Sequence, residues 1–284
     1  MHSAAHASAA GRGSRSLSKE WISRLQLGLN LHQRVALIAG PMSSTVSSVV
    51  MGLTRMGADC IILDPDKSVH SAFISQINDA REINDKFGRA SVIPTDLSTT
   101  ANIKDTIGKA SQVFGGLDIF IDAQMVNKPT PLTIDGTLDG IEGLDLMLDR
   151  HLKSTLILTQ GVLAFFKSRK RGRIIYFLND SPVAKIKEDV VVHAVRSGLI
   201  NFASALAKQV SEFNITVNIL SLALTEEYIL AHDPDSKSIK EALEKLKTTD
   251  PTTKITEPDK ISQTVSFLVS PMGASMTGQH LKLS

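Results

Sequence analysis

Val35-Ala36-Leu37-Ile38 and Cys60-Ile61-Ile62-Leu63 are two short, unbroken apolar runs, and what lies between them decides the fold. Runs of this kind suit strands buried on both faces of a sheet. Between them, residues 43–56 place Val46, Val49, Val50 and Leu53 on one side of a helix. Gly57 stands where a helix takes its C-terminal glycine. Strand, helix and strand in that order make a right-handed β-α-β unit, which demands a parallel sheet.

The alternation continues to the C-terminus. Further strands are expected at residues 91–95, 117–121, 173–178, 215–220 and 280–283. Helices are expected over about 69–87, 99–113, 140–168, 188–211 and 257–269. The fold class is therefore α/β, a doubly wound, Rossmann-like parallel sheet in a single domain over residues 31–284. Residues 1–30 form a polar tail and a short amphipathic lead-in marked by Leu17, Trp21, Leu25 and Leu29. The first 19 residues are rich in Ala, Ser and His, carry Arg12, Arg15 and Lys19, and precede the first acid, Glu20. Such a stretch fits a disordered tail, an expression remnant or an organelle transit peptide. A cytoplasmic location is the default, and the mitochondrial matrix is the alternative if residues 1–19 are a transit peptide.

Composition narrows the function classes. The 284 residues are 42% hydrophobic and 21% charged, enough for one sizeable core. A net charge of +2 gives no general case for nucleic acid or anionic lipid, and no nucleic-acid partner is expected. The single cysteine, Cys60, excludes an internal disulfide and a cysteine-based zinc cluster, so no metal site is expected. No apolar run reaches the ~18–20 residues of a membrane span. The best, residues 154–166, is interrupted by Thr159, Gln160 and Gly161. The basic run Lys167-Ser168-Arg169-Lys170-Arg171-Gly172-Arg173 is expected to be a solvated loop rather than a phosphate contact.

Six landmarks, in order and at the right spacing, resemble the short-chain dehydrogenase/reductase family over residues 33–284. They are residues 56–64, Thr95-Asp96-Leu97-Ser98, Gly115-Gly116-Leu117-Asp118-Ile119, Ser197-Gly198-Leu199-Ile200-Asn201-Phe202, Ile215-Thr216-Val217-Asn218 and Met276-Thr277-Gly278-Gln279. The resemblance implies a nicotinamide-dependent oxidoreductase scaffold and supplies a template for the site. Where the family has Thr-Gly-x-x-x-Gly-x-Gly after the first strand, this chain keeps Gly40 but places Ser44 and Val46 at the later glycines. Those glycines let the backbone approach a pyrophosphate. Asp64 stands where the family's acid takes the ribose hydroxyls, and Asp96 where an aspartate meets the adenine. Gly40, Asp64 and Asp96 are thus vestigial cofactor positions. No bound cofactor is expected, with NAD as the alternative left open. The fourth-strand motif, usually Asn-Asn-Ala-Gly, is Asp122-Ala123-Gln124-Met125.

The family's catalytic set departs further. Anchored on Ser197-Gly198-Leu199, the lysine position is Arg196 and the tyrosine position Val192. The serine position is Asn179 and the asparagine position His151. An isopropyl group neither gives nor takes a proton, and a positioned acid/base contributes about 10²–10⁴-fold. Arginine keeps the charge but does not titrate near neutrality. No catalytic residue is therefore assigned. A repurposed site of His151, Asn179, Asp180 and His193 is the alternative, while Tyr176 and Tyr228, the latter expected in a loop, are taken as structural. Ile239, Leu243 and Leu246 mark a helical segment expected to be a packed cap or partner surface.

The resemblance then implies a non-catalytic subunit that stabilises or regulates an active paralogue in a hetero-oligomer. Contact with that paralogue, or with itself, is expected through the helices over 140–168 and 188–211. Val192, Val195, Leu199, Phe202 and Leu206 form a stripe suited to core and interface together. Heteromeric dehydrogenases of hydroxyacyl-CoA substrates, including one of the benzylsuccinate branch, are the family pattern it brings to mind. A divergent NAD-dependent oxidoreductase with an atypical site, and a structural component of a large organellar complex, are the alternatives.

Overall fold

The computed structural model describes residues 28–66, 71–97, 100–125, 145, 147–180, 190–232, 238–249 and 255–283. The expected tail and most of the lead-in lie outside the described residues, as does the first part of the helix expected over 140–168. Seven strands form one parallel sheet in the order β3-β2-β1-β4-β5-β6-β7. They are β1 Val35–Ala39, β2 Asp59–Asp64, β3 Ala90–Pro94, β4 Ile119–Asp122, β5 Gly172–Asn179, β6 Ile215–Leu222 and β7 His280–Leu283. The helices are α1 Ser44–Arg55, α2 Ser71–Ile83, α3 Thr100–Val113, α4 Ser154–Arg169, α5 Val190–Val210, α6 Glu226–His232, α7 Ile239–Thr249 and α8 Pro258–Val269.

Strand β1 sits at the centre, with Leu37 registered against Ile61 on one side and Phe120 on the other. Its side chains alternate between two cores, which is why the run is apolar throughout. Leu37 joins the face covered by α3, α4 and α5, including Ile107, Leu158, Val162, Phe166 and Val195. Ala36 and Ile38 join the face covered by α1, α2 and α8, including Val50, Leu53, Ile77 and Val265. Each fully buried aliphatic side chain contributes roughly 1.5–3 kcal/mol. Cys60 is a fully buried strand residue of this second core, and burial pushes its thiol pKa far up.

Helix α1 begins at Ser43, whose hydroxyl accepts the Val46 amide at 3.1 Å. It ends before Gly57, which takes φ +92°, a value open to glycine. Helix α4 is preceded by a π-helical turn over Leu148–Lys153, which no periodicity argument separates from an ordinary helix. Tyr228 lies in α6 and not in a loop, buried with Leu224 and Ile229 against Leu243 and Leu246 of α7. The expected cap is therefore packed. Among the described residues no helix is long and apolar enough to cross a membrane, and no group of side chains has a metal-binding arrangement.

The basic run is not a freely solvated loop. Arg171 Nε reaches Asp118 Oδ1 at 2.8 Å, with Arg34 and Arg169 each at 3.5 Å from the same carboxylate. Asp118 is only 3% exposed, and its Oδ2 also accepts the Val35 amide at 3.1 Å. Lys167 Nζ lies 5.1 Å from the centre of the Phe213 ring. Cations separated in sequence are drawn in by one buried acid, so local composition alone misses the arrangement.

Candidate functional site

The carboxyl ends of the strands carry the site, as in other open α/β sheets. At the turn between β1 and α1, Gly40 adopts φ +141°. A Cβ there would lie 2.7 Å from the carbonyl carbon and oxygen of Ala123, so a glycine is required by the neighbouring strand end alone. The amides of Thr45, Val46 and Ser47 in the first turn of α1 are engaged by the chain itself. Ser43 Oγ takes the Val46 amide, and the Ser43 carbonyl takes the Ser47 amide at 2.9 Å. Glu227, from α6, brings a carboxylate to the same place. Its Oε1 accepts the Thr45 amide at 3.0 Å and the Ser44 hydroxyl at 2.9 Å, and its Oε2 accepts the Thr45 hydroxyl at 3.3 Å.

Asp64 is buried at the end of β2. Its Oδ2 accepts the Met42 amide at 2.7 Å and its Oδ1 the Asp66 amide at 2.8 Å. It therefore ties the loop down, whatever else it meets. Asp96 is exposed, and its carbonyl accepts the Asn102 side-chain amide at 3.3 Å. A dinucleotide pyrophosphate needs the first-turn amides that Glu227 and Ser43 hold here. The groups as placed do not fit it.

A second cluster follows β4. Asp122 Oδ2 accepts the Thr155 hydroxyl at 2.5 Å, and its Oδ1 accepts the Gln124 backbone and side-chain amides at 3.0 and 3.2 Å. Burial raises the Asp122 pKa, and these hydrogen bonds only partly oppose it. His151, in the π-helical turn, places Nδ1 3.1 Å from the Gln124 carbonyl. Burial lowers the His151 pKa, and Arg150 adds to the fall against the pull of the Gln124 bond. Tyr176 Oη lies 2.8 Å from Thr159 Oγ1 within the core, and burial pushes its phenol far up. It is structural, as expected.

The third cluster holds Asn179, Val192 and Arg196, the residues expected from the sequence at the family's serine, tyrosine and lysine positions. Val192 is 8% exposed and belongs to the core beneath α5, together with Val195, Leu199 and Leu206. Most of the expected interface stripe is thus spent on the core. Arg196 Nη2 donates to Asp180 Oδ1 at 2.8 Å, and Lys282 of β7 donates to Asp180 Oδ2 at 2.6 Å. Burial works against the charged Asp180 carboxyl, but the two cations outweigh it and hold its pKa low. Asn179, buried at the end of β5, adjoins this ion cluster in sequence. His193 lies on the exposed side of α5. Of the four residues of the alternative site, Asn179 and Asp180 are thus neighbours at the end of β5, while His151 Nδ1 lies at the Gln124 carbonyl after β4. Glu227 and Lys282 are the site residues that motif spacing does not single out. An acid pair, Glu226-Glu227, separated from the sixth strand by three residues, is the one signal that points to the first.

A seven-stranded doubly wound sheet with these landmarks defines a Rossmann-type oxidoreductase scaffold. The family model described as enoyl-(acyl carrier protein) reductase matches residues 43–283. The chain belongs to the short-chain dehydrogenase/reductase family of oxidoreductases. It is 24% identical over 254 residues to (2S)-[(R)-hydroxy(phenyl)methyl]succinyl-CoA dehydrogenase subunit BbsD of Thauera aromatica, covering 89% of this chain and 96% of that protein. Among solved structures, a short-chain dehydrogenase/reductase from Burkholderia xenovorans superposes with a TM-score of 0.74 at 17% identity, over 89% of this chain and 96% of that one. The RhlG/NADP active-site complex of Pseudomonas aeruginosa gives 0.73 at 18% identity, over 91% and 97%. These likenesses confirm the fold expected from the alternation of strands and helices.

Proposed function

We propose that the chain is a non-catalytic subunit that stabilises an active short-chain dehydrogenase paralogue in a hetero-oligomer. One observation carries this reading. Val192, at the position of the family's proton-donating tyrosine, is part of the hydrophobic core. A buried isopropyl group supplies no acid/base function. Arg196, at the lysine position, is committed to Asp180. The relative BbsD bears the name of a dehydrogenase subunit, which supports a heteromeric setting. Helix α4 supports a partner surface: Leu156 is exposed, while Ile157, Leu163 and Phe165 are only partly buried. A helix apolar around its circumference is one that expects cover on every side.

The test is purification from the native source followed by stoichiometry and turnover. An intact family member in equal amount is expected, with NADH-dependent activity in the pair and none in this chain alone. Turnover by the isolated chain at an ordinary rate sinks the reading. Val192→Tyr is expected to overpack the core, costing about 1–3 kcal/mol, without producing turnover.

One observation favours a second reading, a divergent NAD-dependent oxidoreductase. His151 sits in a π-helical turn, a feature frequent at functional sites, and burial holds its imidazole neutral. On that reading, activity is present in the isolated chain and is lost in His151→Gln.

A further inference from the structure

In a doubly wound sheet the amides that open the first helix form the seat of a dinucleotide's pyrophosphate, because they point outward at its positive end. Here that seat holds an acid from elsewhere in the chain. Glu227 reaches it from α6, 182 residues along the chain from Thr45. Its two oxygens accept one backbone amide and two hydroxyls of the first turn, at 2.9–3.3 Å. The remaining capping bond, Val46 to Ser43, is local. Burial opposes the charged form of Glu227. Hydrogen bonds from the Thr45 amide, its own amide and the Ser44 and Thr225 hydroxyls outweigh that and hold its carboxyl below the usual range. It is an anion at neutral pH.

We propose that Glu227 is the resident anion of the dinucleotide-phosphate seat, and that α6 is a plug closing that seat from within the chain. A carboxylate offers two oxygens where a phosphate would offer its own, and two anions cannot share the same few donors. The neighbouring loop is set for the plugged state, since the Met42 amide is turned onto Asp64. Gly40, the retained glycine, is explained by its closeness to Ala123 without any ligand. This inference deepens the non-catalytic reading, because it gives the scaffold a means of excluding the cofactor.

Titration of the full-length chain tests it, with NADH followed by fluorescence and inorganic pyrophosphate by calorimetry. The unmodified chain is expected to show no saturable binding of either in the micromolar range. Glu227→Ala, checked for folding by circular dichroism, is expected to bind pyrophosphate at least about tenfold more tightly than its parent. If that variant fails to fold, Glu227→Gln serves, since it keeps an acceptor oxygen and removes the charge. The same gain is expected of it. Saturable micromolar NADH binding by the unmodified chain overturns the plug, as does a folded variant that gains nothing. Binding without turnover overturns the plug alone and leaves the non-catalytic subunit standing. Turnover overturns both.

Discussion

Strand β4 has a buried aspartate at each end, and the two are held by opposite means. Asp118, just before the strand, is ringed by the guanidinium groups of Arg34, Arg169 and Arg171. Asp122, its last residue, is met among the described residues by a hydroxyl and two amides, from Thr155 and Gln124. At the amino end of the sheet, charge is neutralised and the arrangement is structural. At the carboxyl end, an acid meets no cation among the described residues, in the region where open sheets place their ligands. The same side chain, four residues on, has passed from fastening the fold to belonging to its site.

The largest effect is expected at the fastened end. Asp118→Ala leaves three cations facing one another and frees the Val35 amide, at an expected cost of about 2–4 kcal/mol. The arginines are each about one-third or more exposed, so water recovers part of their charge. Urea denaturation reads this as a fall in midpoint, and a loss under about 0.5 kcal/mol would erase the contrast.

At the other end the expected effect is a change of pH dependence. Asp122 has a raised pKa in the fold, so the native state binds its proton more tightly than the unfolded chain does. Its contribution therefore weakens as pH rises from the unfolded aspartate value through the folded one. Asp122→Asn, which stays within about 1 kcal/mol of the parent at low pH, is expected to lose that fall. A stability curve with the same slope in parent and variant would show that Asp122 ionises freely.

The smallest effect belongs to His151, across Gln124 from Asp122. Its folded pKa lies below the ordinary value of 6.5, so the unfolded chain takes up the proton first. Stability then declines as pH drops through about 6.5 toward the folded pKa, the opposite sense to Asp122. His280 is lowered too, by burial and by Lys282 and Arg196, and adds a decline of the same sign. His151→Gln in a His280→Gln background isolates the first. Thermal unfolding between pH 5 and 7 measures it, and an unchanged decline counts against the buried, neutral imidazole.

The strands were legible because burial on both faces forces unbroken apolar runs, as at Val35–Ala39. Glycine at the end of α1 was legible from its φ requirement at Gly57. The burial of Val192 was legible from the helical period it shares with Val195 and Leu199. The contacts that shape the site were not legible. Glu227 meets Ser44 across 183 positions, and Arg34 meets Arg171 only through Asp118. Neither pairing leaves a local period or motif, because the parallel crossovers alone bring those segments together. The π-helical turn at His151 escaped for another reason, since one extra residue in a turn barely alters an apolar pattern.

Cys60 offers a practical consequence. Its sulfur is sealed in the core between the sheet and its helices and its thiol resists ionisation, so maleimides and nitroxide reagents should pass it by. The natural chain is accordingly a silent background for labelling. A cysteine introduced at exposed Ser238, at the entrance to α7, would give a single reporter beside the α6–α7 pair. Movement of that pair becomes observable in solution without removing any native residue of the core.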